Sequence, residues 1–226
     1  QVMPKELVIT ALNIRSLKLN DSKIFKNKLN YLLSINSDIL ILLEINTHTT
    51  DWDSAAQKIF RFELRNHNYF ITQPEQGYST KRGILLLYKK NLGMTVNNIS
   101  QINFNLLKME LEHPELKLVI YGVYADSDMD NPEYFLEIRK LTLEDNCVNT
   151  LITGDFNTTL CPLTDRWNYT SDNHKKCRAV IKNWIDEGDY VDGHRAFFPD
   201  NNNLFTYRKV ANGEIIKQSR LDYSLP

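Results

Sequence analysis

Nowhere does the chain carry the roughly 18 unbroken apolar residues that a membrane-spanning helix needs. Its first residues also lack the basic-then-apolar layout of a secretory signal. Both absences lead to the expectation of a soluble, intracellular protein. Cysteine is sparse. Cys147, Cys161 and Cys177 form no CxxC pair and sit apart from any histidine at finger-like spacing, which argues against zinc. Their odd number argues against a disulfide framework, and each is read as a small buried or half-exposed residue rather than a catalytic thiol. An excess of one charge is missing too, because 27 Lys and Arg against 28 Asp and Glu leave a formal net charge of −1. Any binding of a polyanion must therefore be local. Lys81-Arg82, Lys89-Lys90, Lys175-Lys176-Arg178 and Arg208-Lys209 are the local candidates, although solvated faces produce such clusters routinely. No internal repeat, no domain linker and no low-complexity tract longer than Asn201-Asn202-Asn203 is present.

What is present is enough apolar material for a large core: 226 residues, 42% of them hydrophobic, best accommodated as one domain over 1–226. The alternating run Leu7–Asn13 and the continuous run Ile39–Leu43 read as strands. Between them, Asp21–Ile35 reads as a helix with Asp21 as cap. A second helix is expected over about Asp53–Asn66, then short strands at Tyr69–Thr72, Gly83–Tyr88, Leu106–Leu111 and Leu116–Tyr124, so the middle reads as mostly antiparallel sheet. Pro132 opens a helix to about Leu143, the strand Thr150–Thr153 follows, and after a polar loop a helix covers about His174–Glu187, ended by Gly188. The tail offers Leu204–Val210 and Ile215–Leu225 as strands joined through Asn212-Gly213, the dipeptide best suited to a type I′ hairpin. Strands outnumber helices, which predicts an α/β class: a four-layered sandwich of two mainly antiparallel or mixed sheets packed face to face, with helices outside. A doubly wound parallel sheet is the rival. Against it, Asn13-Ile14-Arg15-Ser16 after the first strand is neither a GxGxxG nor a P-loop.

Several strand ends carry oxygen-bearing side chains: Asn13, Glu44, and the pair Asp155 and Asn157 in Gly154-Asp155-Phe156-Asn157, with Ser219-Arg220-Leu221-Asp222-Tyr223 far downstream. Hydrolysis of a phosphodiester requires neutralising negative charge, holding a water in line and helping an alkoxide to leave, which a hard cation on oxygen ligands can largely supply. Glu44 suits magnesium as an anchor ligand, with Asn13 beside it directly or through water. Asp155 suits proton acceptance from a water, and Asn157, two positions on and so on the same face if the strand continues, suits donation to a phosphate. The same four residues also make an ordinary turn, since all but Phe156 are common turn formers.

Asn13 in Ala-Leu-Asn-Ile, Glu44 in Leu-Leu-Glu-Ile-Asn-Thr, Tyr124 in Val-Tyr-Ala, Gly154–Asn157 and Ser219–Tyr223 stand in the order found in the exonuclease–endonuclease–phosphatase superfamily, which the chain resembles along its whole length. Within that superfamily the chain is similar to the apurinic-endonuclease-like endonuclease domains of non-LTR (LINE-type) retrotransposons. That likeness rests on Asn157-Thr158, Leu163-Thr164-Asp165-Arg166, Asp192-Gly193-His194-Arg195, Pro199 and Phe205-Thr206-Tyr207. The resemblance implies a DNase I-like sandwich and a magnesium-dependent endonuclease, with manganese as a substitute. Its product carries a 3′-hydroxyl, and the nick in target DNA primes reverse transcription. It also implies double-stranded DNA and a fused or cooperating reverse transcriptase as partners, no membrane, and residence in the nucleus after synthesis in the cytoplasm. By the same resemblance Glu44 and Asn13 hold the metal, Asp155 activates the water, Asn157 and Tyr124 contact the phosphate, and Asp222 orients a histidine. Arg15, Thr206, Arg208, Lys209, Lys217, Ser219 and Arg220 would face DNA, three of them around a hairpin that probes the minor groove. Two departures stand out: Asp126 follows Tyr124-Ala125 where the family has proline, and the family's closing Ser-Asp-His is absent, so that a lost or omitted last strand is expected. All five histidines are read as ordinary surface or packing residues. The alternatives are an apurinic-type repair endonuclease or a phosphatase of the superfamily, and a catalytically inactive DNA-binding fragment.

Overall fold

A computed structural model describes residues 6–58, 61–62, 64–74, 82–145, 147, 149–168, 174–201 and 204–226, and among the sequence candidates Lys81 and part of the helix expected over Asp53–Asn66 lie outside these. The chain folds as two compact units, Gln1–Tyr124 and Ala125–Pro226.

In the first unit β1 (Ile9–Asn13) lies parallel to β2 (Ile39–Leu43), in a register that sets Asn13 against Leu43. Helix α1 (Ser22–Ser34) connects them. Asp21 caps it by accepting the Ile24 N–H at 3.0 Å, and Phe25, Leu29 and Leu32, spaced by four and three, are buried. Each such side chain stabilises by about 1.5–3 kcal/mol through apolar burial. α2 (Thr49–Lys58) begins four residues before the expected helix and places Trp52 edge-on to Phe25. β3 (His67–Ile71) and β4 (Ile84–Lys89) complete a mixed sheet in the order β1-β2-β4-β3. Every residue of β2 is buried: Leu40 and Leu42 join α1 and α2 in one cluster, and Ile39, Ile41 and Leu43 point to the opposite face.

That opposite face meets an antiparallel meander of β5 (Thr95–Asn103), β6 (Leu106–His113) and β7 (Leu116–Tyr124). The two sheets approach closely at Gly122 on β7, where a Cβ would come within 3.0 Å of Ile41 Cγ2 and 3.2 Å of Leu107 Cγ. A Cβ there would press on both side chains, so glycine suits the close approach. β5 was absent from the sequence reading, and the parallel rival fails because β4 pairs antiparallel with β2 and β3, and β6 antiparallel with β5 and β7.

The second unit begins with α3 (Pro132–Asp145), then β8 (Thr150–Asp155) and the two-residue β9 (Arg166–Trp167). α4 (Lys175–Asp186) ends at Gly188 with φ +81°, and α5 (Gly193–Phe197) is a short helix not expected from the sequence. β10 (Tyr207–Ala211) and β11 (Glu214–Ser219) form the expected hairpin with φ +53° at Asn212 and +81° at Gly213, as a type I′ turn demands. The run Ile215–Leu225 proves to be two strands, β11 and β12 (Asp222–Leu225); β11 pairs with β10 and β9, while β12 pairs antiparallel with β8. Phe135 of α3 stacks on Phe156 at 5.7 Å between centroids, and Phe156 meets Tyr223 of β12 edge-on at 5.5 Å, giving this unit an aromatic core.

Candidate active site

The candidate residues fall into two sets, one in each unit. In the first, Asn13 closes β1 and Glu44 follows β2 directly, so two oxygen-bearing side chains stand at the same end of paired parallel strands. Glu44 holds φ +57°, an unusual state for a residue with a Cβ. Backbone bonds fix it: the Ser16 N–H donates to the Glu44 carbonyl at 2.6 Å, and the Ile45 N–H to that of Gly83. The half-buried Glu44 carboxylate has no hydrogen-bond or ion-pair partner among the described residues. Asn13 Oδ1 accepts the N–H of Arg15, an exposed residue at φ +49°, and the loop behind it is clasped by Lys28 Nζ, which donates to the carbonyls of Ile14 and Ser16 at 2.8 and 2.7 Å. Burial, and secondarily Lys18, lowers the Lys28 pKa. Tyr124, the last residue of β7, is buried, with 7% of its surface exposed.

In the second unit Asp155 ends β8 and Asp222 begins β12, directly opposite one another in an antiparallel pair. Asn157 is not on a continuing strand as expected; with φ +46° it turns back, its N–H donating to Asp155 Oδ1 at 2.9 Å and its Nδ2 to the Ala125 carbonyl at 2.8 Å. Turn and site are thus the same structure. Among the described residues Asp222 Oδ1 is shielded from solvent and has no hydrogen-bond partner, and its pKa is raised by burial, opposed by a hydrogen bond from Thr206. A shielded polar atom without a partner costs about 1–3 kcal/mol, so structural positions seldom keep one.

Two expected DNA contacts are corrected, and a third residue has a further role. Arg220 is 1% exposed, paired with Asp192 and 3.5 Å from Asp165, and its guanidinium lies 4.4 Å from the centroid of the Tyr223 ring. Ser219 is equally buried, so neither reaches a duplex. Thr206 is exposed, yet its Oγ1 accepts the N–H groups of Leu221 and Asp222 at 2.9 and 3.2 Å, which makes it a support for the Asp222 strand. Arg208 and Lys209 remain exposed on β10, and Lys209 faces the half-buried Lys217 directly across the hairpin. Among the other basic clusters, Lys89 is paired with Asp38 at 2.9 Å and Arg178 Nε donates to the Thr159 carbonyl.

The sequence reading missed the network behind Asp222: Asp165, 1% exposed, also pairs with Arg195 at 2.8 Å, and Asp192 accepts from Arg220. Asp165, Asp192 and Arg195 entered only through the resemblance, because nothing in their spacing shows that they meet.

No family model matches the chain, and no curated protein does. Solved structures do. An AP endonuclease from Archaeoglobus fulgidus aligns with a TM-score of 0.68 at 16% identity, covering 97% of this chain and 86% of that one. The endonuclease domain of TRAS1, a telomere-specific non-LTR retrotransposon, gives 0.63 at 12%, covering 97% and 84%. The 3′ phosphatase NExo from Neisseria gives 0.65 at 16%, covering 97% and 86%. The chain has the DNase I-like α/β-sandwich fold. That fold accounts for the mixed and antiparallel sheets with helices against them.

Proposed function

We propose that this chain is a divalent-metal-dependent DNA endonuclease that cuts phosphodiester bonds to leave a 3′-hydroxyl, nicking target DNA in the nucleus for a retrotransposon whose reverse transcriptase extends the new end. The observation that carries it is the pair Asp155 and Asp222: two carboxylates opposed across one strand pair, one of them with a shielded oxygen lacking any partner. Similarity of fold to AP endonucleases and to the TRAS1 domain supports the reaction class.

The donor set fits a hard cation. Glu44 offers a half-buried, partnerless carboxylate and Asn13 an amide at the same sheet end, the chemistry magnesium or manganese prefers. A cation bound there supplies positive charge against the negative charge that spreads over the phosphate. Asp155, oriented by the Asn157 N–H, takes the proton of the attacking water. Asn157 keeps one amide hydrogen beyond its bond to Ala125 for a phosphate oxygen. Asp222 holds and polarises a donor brought to its unanswered oxygen. Arg208 and Lys209, exposed on β10 of the β10–β11 hairpin, suit contact with the DNA backbone.

The test is nicking of supercoiled plasmid. Magnesium-dependent nicks whose ends a polymerase extends are expected, with loss of rate by about 10²- to 10⁴-fold in Asp155→Asn and slower nicking with a higher magnesium requirement in Glu44→Gln. Undiminished cutting by Asp155→Asn would sink the assignment. The AP-endonuclease likeness favours a second reading, repair-type cleavage, and preference for an abasic duplex over a plain one selects it.

A further inference from the structure

In the second unit, away from the strand ends just described, three side chains of different chemistry converge at the first turn of α4. A carboxylate oxygen of Asp130, a ring nitrogen of His174 and the Cys177 sulfur all lie within 4.8 Å of one another. We propose that these three residues form a zinc-type metal site, with a water in the fourth position, that ties the stretch before α3 to the start of α4.

Three observations carry it. First, oxygen, imidazole nitrogen and sulfur together form the ligand mixture that zinc accepts and that magnesium does not. Tetrahedral zinc with bonds of about 2.0–2.3 Å places its ligands roughly 3.3–3.8 Å apart, so side-chain rotations of about an ångström close the site. Second, the His174 ring is set for ligation. Nε2 lies 3.1 Å from the Ser127 carbonyl, an arrangement that fixes the proton on Nε2, while Nδ1 is shielded from solvent and has no partner. A histidine that binds metal through one nitrogen characteristically donates its other N–H to a backbone carbonyl. Third, the scaffold is already in place without metal: the Asp130 carboxylate accepts the N–H groups of Lys176 at 3.0 Å and Cys177 at 2.9 Å, and His174 is held at φ +60°.

Capping of α4 and a hydrogen bond from the Cys177 thiol explain the carboxylate and the sulfur; they do not explain the unanswered imidazole nitrogen beside them. A cation at a helix N-terminus opposes the helix dipole. Two anionic ligands, carboxylate and thiolate, neutralise a divalent ion, which must displace the proton that burial and the Asp130 carboxylate hold on the Cys177 sulfur.

Cobalt(II) is the probe, because a thiolate ligand gives it a near-ultraviolet charge-transfer band that oxygen ligands do not. The full chain, stripped with chelator and titrated with cobalt, should develop that band and tetrahedral visible bands at one equivalent, and zinc should erase them. Cys177→Ser should lose the charge-transfer band, and His174→Gln and Asp130→Asn should each weaken binding about 10- to 100-fold. Cys161→Ser, Cys147→Ser and Glu44→Gln should keep the band, which separates this site from the one proposed for catalysis. Absence of the band in the parent chain, or its survival in Cys177→Ser, overturns the proposal. A further readout covers variants that fold poorly: zinc should raise the thermal midpoint of the parent and leave that of His174→Gln unmoved. An equal rise in both also overturns it.

Discussion

The strand ends carrying Asn13 and Glu44 and those carrying Asp155 and Asp222 are built by opposite means. In the first unit β2 is buried along its whole length, and Glu44 stands where the apolar run stops; hydrocarbon packing and backbone hydrogen bonds alone fix its place. In the second unit the Asp222 strand rests on directional contacts between charged and aromatic groups, with Arg220, Asp165 and Asp192 nearly or fully buried and Tyr223 packed on Phe156. Apolar burial is non-directional and tolerates approximate shapes. Buried ions tolerate no missing partner.

Arg220→Met tests that difference most severely. It leaves the Asp192 and Asp165 carboxylates short of a partner and should cost about 3–5 kcal/mol in urea unfolding. The same change combined with Asp165→Asn and Asp192→Asn should recover much of the loss, since an absent buried ion set is cheaper than a broken one. In the first unit Leu42→Ala, at a fully buried position of β2, should cost about 2–5 kcal/mol through the cavity it leaves. No charge change elsewhere should recover it. If Arg220→Met costs under about 1 kcal/mol, the two units are held by the same forces and the comparison fails.

Asp222→Asn should act in the other direction. Because burial raises the Asp222 pKa, the folded state disfavours its charge. The parent therefore loses stability as pH rises from the ordinary aspartate range through the raised value, and the penalty stays constant above it. The variant has no such loss. Its thermal midpoint should match the parent in acid and exceed it at neutral pH, while nicking falls. A neutral-pH midpoint below that of the parent would show that Asp222 stabilises the fold and is not strained in it.

The same contrast decides what was legible in the sequence. Ile39–Leu43 and Leu116–Tyr124 coincide with β2 and β7 because burial leaves its mark as apolar runs, and Asp21 announced α1 because its cap is local. β5 escaped because Asn97, Asn98, Ser100 and Gln101 carry no strand signal; its pairing with β6 makes it a strand. Ile215–Leu225 read as one strand because the break at Arg220-Leu221 arises from distant partners: the Arg220 N–H bonds to the Asp165 carbonyl, and the Leu221 carbonyl accepts from Phe156. Among the site residues, those at strand ends were visible. The reassignment of Arg220 and Ser219 from DNA to the interior was not, nor was the hydroxyl of the exposed Thr206 holding the Asp222 strand, since a basic or hydroxyl residue looks the same facing either way. His174 and Cys177 were dismissed on finger spacing, although their separation of three residues sets both on the first turn of one helix, and only the fold brings Asp130 to them.

The smallest expected effect sharpens the comparison from the apolar side. Asp21→Ala removes the bond from the Ile24 N–H and should cost about 1 kcal/mol, the usual worth of a cap. Fraying should stop before Phe25 and Lys28, because Phe25 is anchored by burial and Lys28 by two carbonyls. Amide exchange in Asp21→Ala should therefore speed up over residues 22–24 and stay unchanged over 28–32, with magnesium-dependent nicking preserved. Lys28→Met should do the reverse. It leaves the cap in place but frees the carbonyls of Ile14 and Ser16, and so loosens the loop that follows Asn13 and reduces nicking. If the two variants loosen the same residues, the loop beside Asn13 depends on the helix as a whole rather than on the lysine clasp, and packing alone does not position that strand end.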